Sequence, residues 1–179
     1  RALASEGITS YTTRPSRSLS DEPVTRCLLS WARLANPAWG TPPIPTEVNV
    51  ALMQSIAGLD WVRADLLRSK VYVPNAEDGI PLLPFASIHP ILQERITYQV
   101  GERYDHLRKW LLQLQKQQEK PELDIFLSRV FGEVLSQPGF AFHTDVEAAA
   151  VTSRLIESVR KFRRGVHLLI QGSEDRIGA

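Results

Sequence analysis

The sequence predicts an all-α domain: an irregular bundle of about six helices with proline-rich connections and one short extended segment near its start. Three observations carry this. Apolar residues recur at steps of three and four through most of the chain. Helix-start and helix-stop residues stand at the ends of those runs. At 179 residues, 43% hydrophobic and 23% charged, the chain fits one globular domain with a real core.

The chain opens mid-helix at Arg1, and the first piece reads as a helix end with Gly7 as its C-cap. Ile8 to Thr12 then forms a short extended segment. A lone strand with one buried face does not hold by itself, so its sheet partners are expected in sequence beyond this chain. The chain is therefore expected to be a piece of a larger protein. Residues 1–20 would belong to a neighbouring domain's edge, 21–170 to the helical body and 171–179 to a frayed tail.

Asp21 can cap the next helix, with Glu22 and Pro23 in its first turn. Val24, Cys27, Leu28, Trp31 and Leu34 mark its buried face, and Asn36-Pro37 ends it. Pro37 to Pro45 must be a stiff loop, with Trp39 available to pack it. Thr46 and Glu47 start a second helix through Val48, Leu52 and Ile56. Gly58-Leu-Asp60 breaks it, and Asp60 caps a third through Val62, Leu66 and Leu67.

Tyr72 to Pro90 is irregular, but Leu82, Leu83, Phe85 and Ile88 predict that it lies on the core. One long helix is expected from Pro90, because Leu92, Ile96, Val100, Tyr104, Leu107, Leu111 and Leu114 keep one phase, with Gly101 a mild defect. Pro121 begins a helix striped by Leu123, Phe126, Leu127, Val130, Phe131, Val134 and Leu135, and Pro138-Gly139 stops it. Thr144 or Asp145 caps the last helix, with Val151, Leu155, Val159 and Phe162 inward. Leu168-Leu-Ile170 extends it or forms a separate piece, and the chain frays from Gly172.

Several chemistries find no support. There is no Gly-x4-Gly-Lys-Ser/Thr phosphate loop and no Gly-x-Gly-x-x-Gly. The single cysteine excludes an internal disulfide framework and a cysteine-rich zinc site, and Cys27 itself reads as core filler. His143 with Asp145 and Glu147 is the nearest approach to a metal set, but the two acids are explained by a helix start. Glu102, Asp105 and His106 share a helix region and read as exposed charge. A net charge of +1 gives no bulk attraction for a polyanion, so only local clusters can bind one. No run of about 18 apolar residues is present to span a membrane, and the opening residues do not read as a charged-then-apolar leader. A cytoplasmic location is expected.

Three pieces in order resemble a known family. Ala2-Leu-Ala-Ser-Glu-Gly-Ile-Thr-Ser-Tyr11, Arg17-Ser-Leu-Ser-Asp-Glu-Pro-Val24 and Leu28 to Pro37 form the first, and Ile56-Ala-Gly-Leu-Asp60 the second. The third comprises Leu123-Asp-Ile-Phe-Leu127, Gly139-Phe140 and Arg154-Leu-Ile-Glu157 with Phe162. Together they resemble UvrD/Rep-type superfamily 1 DNA helicases, including the AddAB/RecBCD-like branch, around the inserted 2B subdomain. The resemblance is thin from Tyr72 to Leu107, and Asp60 stands where the family has glycine. It implies that residues 1–20 belong to the edge of the second RecA-like motor domain. It further implies that the rest is a helical accessory subdomain of an ATP-dependent helicase acting in repair or recombination. The implied partners are duplex DNA or a single-to-double-strand junction and the remaining motor domains of the same chain. No cofactor is implied in this segment; ATP and magnesium would belong to the parent's motor domains, and no catalytic residue is expected here.

Three candidates for DNA contact follow. The first is Gly58 with Arg63, where helix-start N–H groups can face a phosphate unless Asp60 occupies them. The second is Arg160, Lys161 and Arg164 on one face of the last helix, extended by Arg154, against the plainer reading of cations near a helix C-terminus. The third is Arg17 with Arg14. A different class of function also fits: a helical protein-interaction module, with the Leu92–Leu114 stripe pairing outside the domain.

Overall fold

The structure is a computed structural model that describes residues 18–74, 80–117 and 119–177, with 167–177 described as backbone alone. The opening helix end, the segment Ile8 to Thr12, Arg14 and Arg17 lie outside the described residues. Seven α-helices follow: α1 (Pro23–Ala35), α2 (Pro45–Ser55), α3 (Trp61–Val71), α4 (Pro90–Ile96), α5 (Tyr98–Gln115), α6 (Leu123–Val130) and α7 (Val146–Ile177). The fold is all-α; among the described residues there is no strand, only isolated antiparallel bridges at Ile56–Phe140 and Tyr72–Leu82.

Helix α1 is the centre of the molecule because its apolar stripe has neighbours on every side. Cys27, Leu28, Trp31 and Leu34 are buried, and α2, α5, α6 and α7 all pack on the helix. A buried indole N–H needs an acceptor. Trp31 Nε1 donates to the Ser55 hydroxyl at 2.8 Å, and Ser55 donates to the Ala51 carbonyl at 2.7 Å. Cys27 Sγ completes the cluster 3.2 Å from Ser55 Oγ, and burial pushes its thiol up to about 11. It is core filler, as its apolar neighbours foretold.

Helix starts differ in detail from expectation. Glu22 rather than Asp21 occupies the N-cap of α1, with Pro23 at the first helical position. The proline-rich loop is held by Arg33 and not by Trp39, which is 48% exposed. Arg33 Nε donates to the Thr41 carbonyl at 2.7 Å, one terminal nitrogen donates to the Pro42 carbonyl at 3.1 Å, and the other pairs with Glu47 at 3.0 Å. Glu47 in turn accepts the Ile44 N–H at 2.9 Å, which starts α2 one residue before Thr46. A guanidinium can satisfy several loop carbonyls at once, which an indole cannot.

The irregular segment before α4 lies on the core, with Ile80, Leu82, Phe85 and Ile88 buried; Leu83 is turned outward. Helix α5 supplies its polar ties. The Tyr104 hydroxyl donates to the Leu83 carbonyl at 2.6 Å, Arg108 Nε donates to the Leu82 carbonyl at 2.8 Å, and Asp105 accepts the Phe85 N–H at 3.0 Å.

The long helix expected from Pro90 is two helices. The break falls at Thr97, which has φ 83° and ψ 138°. Gly101 is also more than a defect: a Cβ there would stand 2.3 Å from two Phe85 ring atoms. The stripe after Pro121 continues beyond α6 as a single wider turn, Phe131–Leu135, that keeps Val134 and Leu135 buried.

Asp145 caps α7 by accepting the Ala148 N–H at 2.8 Å. Ala148, Val151, Thr152 and Leu155 then face the body. From Arg160 to Val166 every side chain is exposed, and Phe162, expected inward, is 75% exposed. The helix outruns the elements that cover it: α7 has 32 residues, about 48 Å, while α6 has eight. No separate piece begins at Leu168, and the frayed tail expected from Gly172 is helical as far as Ile177. Backbone hydrogen bonds within a helix do not require side-chain burial, so two glycines do not end it.

Candidate nucleic-acid interface

The turn between α2 and α3 carries a left-handed residue, Gly58 at φ 76°. Its Arg63 N–H donor, however, is already in use. Asp60 accepts the Arg63 N–H at 2.9 Å. The Arg63 side chain folds back, its Nε 2.7 Å from Asp60 and a terminal nitrogen donating to the Gly58 carbonyl. Those backbone and side-chain hydrogen bonds from Arg63 hold the Asp60 carboxyl below its ordinary value. From the other side, Arg103 donates to the Ala57 carbonyl at 2.9 Å. Gly58 and Arg63 thus build a closed, capped turn, the plainer of the two readings, and a carboxylate sits where a phosphate would.

On α7 the expected trio divides. Arg160 faces α6, where its Nε donates to Asp124 at 2.9 Å. Arg163 joins it, 3.2 Å from the other Asp124 oxygen and 3.6 Å from Glu122. Lys161 stays outside, paired with Glu157 one turn back at 2.9 Å. Arg164 and Arg154 are exposed. Arg154, Lys161 and Arg164, at i, i+7 and i+10, share one helix face. The opposite face carries Leu155, Val159, Phe162 and Val166. The correction to the sequence reading is that Arg160 leaves the cationic stripe and Arg154 takes its place, because a buried carboxylate on another helix attracts Arg160.

Asp124 and Arg163 escaped the sequence reading. Asp124 is a first-turn acid of α6, and nothing local links it to arginines 36 and 39 positions later. The Asp124 side chain is 3% exposed, while Arg160 and Arg163 keep about half their surface. Burial pushes the Asp124 carboxyl up, but the Arg160 hydrogen bond and the Arg163 charge pull it below its ordinary value. A depressed folded pKa means stability that is present above the unfolded value, near 3.9, and is lost as pH falls through the folded one. Asp124→Asn is therefore expected to cost about 1.5–3 kcal/mol at pH 7. The difference from the parent protein should shrink as pH drops below about 4. Chemical denaturation at pH 7 and at pH 3 checks it; an equal deficit at both would remove the electrostatic account.

Beside this clamp, Leu123, Val159, Phe162 and Val166 line an open apolar groove of about 330 Å³. The other groups singled out from sequence have structural work. Asp145 is a cap, and His143 Nδ1 lies 2.8 Å from the Ser136 carbonyl. Glu102, Asp105 and His106 line a shallow groove with Lys109 and Trp110, where His106 packs edge-on against Phe140. Among the described residues no three metal-ligating side chains converge, and no helix is long and apolar enough to cross a membrane.

Compared with models of known families, with curated proteins and with solved structures, the chain matches none.

Proposed function

We propose that this chain is a helical accessory lobe of a UvrD/Rep-type DNA helicase, contacting DNA and performing no chemistry of its own. ATP and magnesium would act in motor domains of the same parent chain. One observation carries the reading. The described parts of the segments that resemble the family lie apart in sequence yet meet in one body: α1 packs on α2, α6 and α7, and the Gly58 turn follows α2 directly. The stripe Arg154–Lys161–Arg164, on a helix that projects from that body, is the surface offered to DNA phosphates.

A duplex-binding titration against salt tests this. Weak binding at low salt is expected, falling steeply as salt rises. Lys161→Ala and Arg164→Ala should each weaken it and lower the salt slope by about 0.9. Arg63→Ala should leave it unchanged, since that side chain serves the turn. Absence of binding at about 50 mM salt would overturn the DNA role. The helicase assignment itself stands or falls on the coding sequence around this segment, which should carry a Gly-x4-Gly-Lys-Ser/Thr loop.

The groove of Leu123, Val159, Phe162 and Val166 favours a second reading, a protein-interaction module. Within the first reading its occupant is a motor domain of the same chain. A partner protein recovered together with no duplex binding would favour the second instead.

A further inference from the structure

The joint between α4 and α5 is strained in a way the sequence did not call for. The apolar series Leu92, Ile96, Val100, Tyr104 advances by four at each step, the signature of one continuous helix. Yet Thr97 interrupts it at φ 83° and ψ 138°. That is positive-φ extended backbone, close to the region that only glycine enters freely, and Thr97 is β-branched. Its side chain makes no capping hydrogen bond. Helix α4 closes with the Thr97 N–H donating to the Gln93 carbonyl at 2.8 Å, and α5 opens with the Gly101 N–H donating to the Thr97 carbonyl at 3.1 Å. Between them the N–H groups of Tyr98, Gln99 and Val100 occupy a first helical turn, where an α-helix offers them no partner.

What holds the bend is packing at its two sides. Ile96 is fully buried, Leu92 packs on the core, and α4 lies against α3. The Gln93 side chain donates to the Ile88 carbonyl at 2.6 Å. One turn past the joint, the Phe85 ring sits on Gly101 and meets Tyr98 edge-on at 6.5 Å. Straightening would surrender the α4 packing. In return it would relieve Thr97 and let the Tyr98, Gln99 and Val100 N–H groups reach the carbonyls of Glu94, Arg95 and Ile96. Two opposed sets of interactions on one element make a bistable joint.

We propose that α4 is a hinged latch on α3, with Thr97 as its loaded joint and a single Pro90–Gln115 helix as its open form. The inference is independent of the function proposed above. Opening would uncover the α3 surface and Ile96, and would extend the core-packed α5 by about 12 Å of free helix, Pro90–Thr97, at its start.

Two spin labels on the full chain, at Ile91→Cys and Lys109→Cys, read the joint; both positions are exposed, and the native Cys27 is buried. A continuous helix would separate the two backbones by about 27 Å. The parent protein should show a shorter main distance with a minor population, a few per cent, at the long one. Thr97→Gly adopts the bent backbone freely, so it should remove the long population and raise the Tm by about 2–4 °C. Thr97→Ala keeps the positive-φ penalty while favouring helix, so the long population should rise about threefold. One unchanging distance in all three proteins, or a Tm lowered by Thr97→Gly, would overturn the proposal.

Discussion

Gly101→Ala should destabilise the protein by about 1–3 kcal/mol, although the same change at an open helical site would stabilise it. Alanine is favoured over glycine inside a helix by about 0.8–1.0 kcal/mol. Here the sign reverses because the added Cβ would lie 2.3, 2.3 and 2.6 Å from three atoms of the Phe85 ring. That ring is buried and its backbone is tied to Asp105, so it has little room to retreat. Gly101→Val should be worse, since two further methyl groups enter the same space. The decisive measurement is a double-mutant cycle by urea unfolding. Phe85→Ala alone should cost about 3–5 kcal/mol, but in that background Gly101→Ala should become neutral or favourable. If the two costs simply add, the ring is not what excludes the methyl group.

The second large effect is expected at the centre of α1. Trp31→Ala should cost about 3–5 kcal/mol, near the upper range for a single core truncation. Trp31 has no exposed surface, and the helices packed on α1, namely α2, α5, α6 and α7, come from different parts of the chain, so they cannot collapse together into the space left. Ser55→Ala dissects the polar part. It leaves Trp31 Nε1 buried without its acceptor, at a cost of about 1–3 kcal/mol. In a Trp31→Phe background no indole N–H remains, so Ser55→Ala should cost much less. Equal costs in both backgrounds would mean that the 2.8 Å hydrogen bond contributes nothing to stability.

These effects show where local sequence stops being sufficient. Gly101 looked like a weak point because propensity sees only the helix it sits in. Its role comes from a phenyl ring 16 positions earlier, delivered by a loop. Thr97 is the same lesson reversed. Nothing within the Leu92–Leu114 pattern announces a break, and the packing of α4 on α3 imposes one. Phe162 fits the inward stripe of α7 by spacing, but spacing does not say how far the covering helix reaches.

The candidate site was legible to the same degree. Asp60 was identified as the cap that competes with a phosphate, because N-cap chemistry acts within one turn. Arg160 was placed among the phosphate-facing cations because its partner, Asp124, is 36 residues away and no local spacing announces the pair. Arg154, Lys161 and Arg164 could be aligned from the helical repeat once Arg160 was removed from the set.

By itself the sequence determined the all-α class, most helix ends, the buried faces of α1, α2, α5 and α6, and the inert environment of Cys27. Each of these depends on interactions within a turn or two, or on burial of a stripe whose periodicity is written in the chain. Only the tertiary structure decided the bend at Thr97, the close approach at Gly101, the clamp on Asp124 and the exposure of Phe162. Those depend on which helices meet and where each one ends. Contacts of that kind join residues far apart in the chain, and no local spacing encodes them.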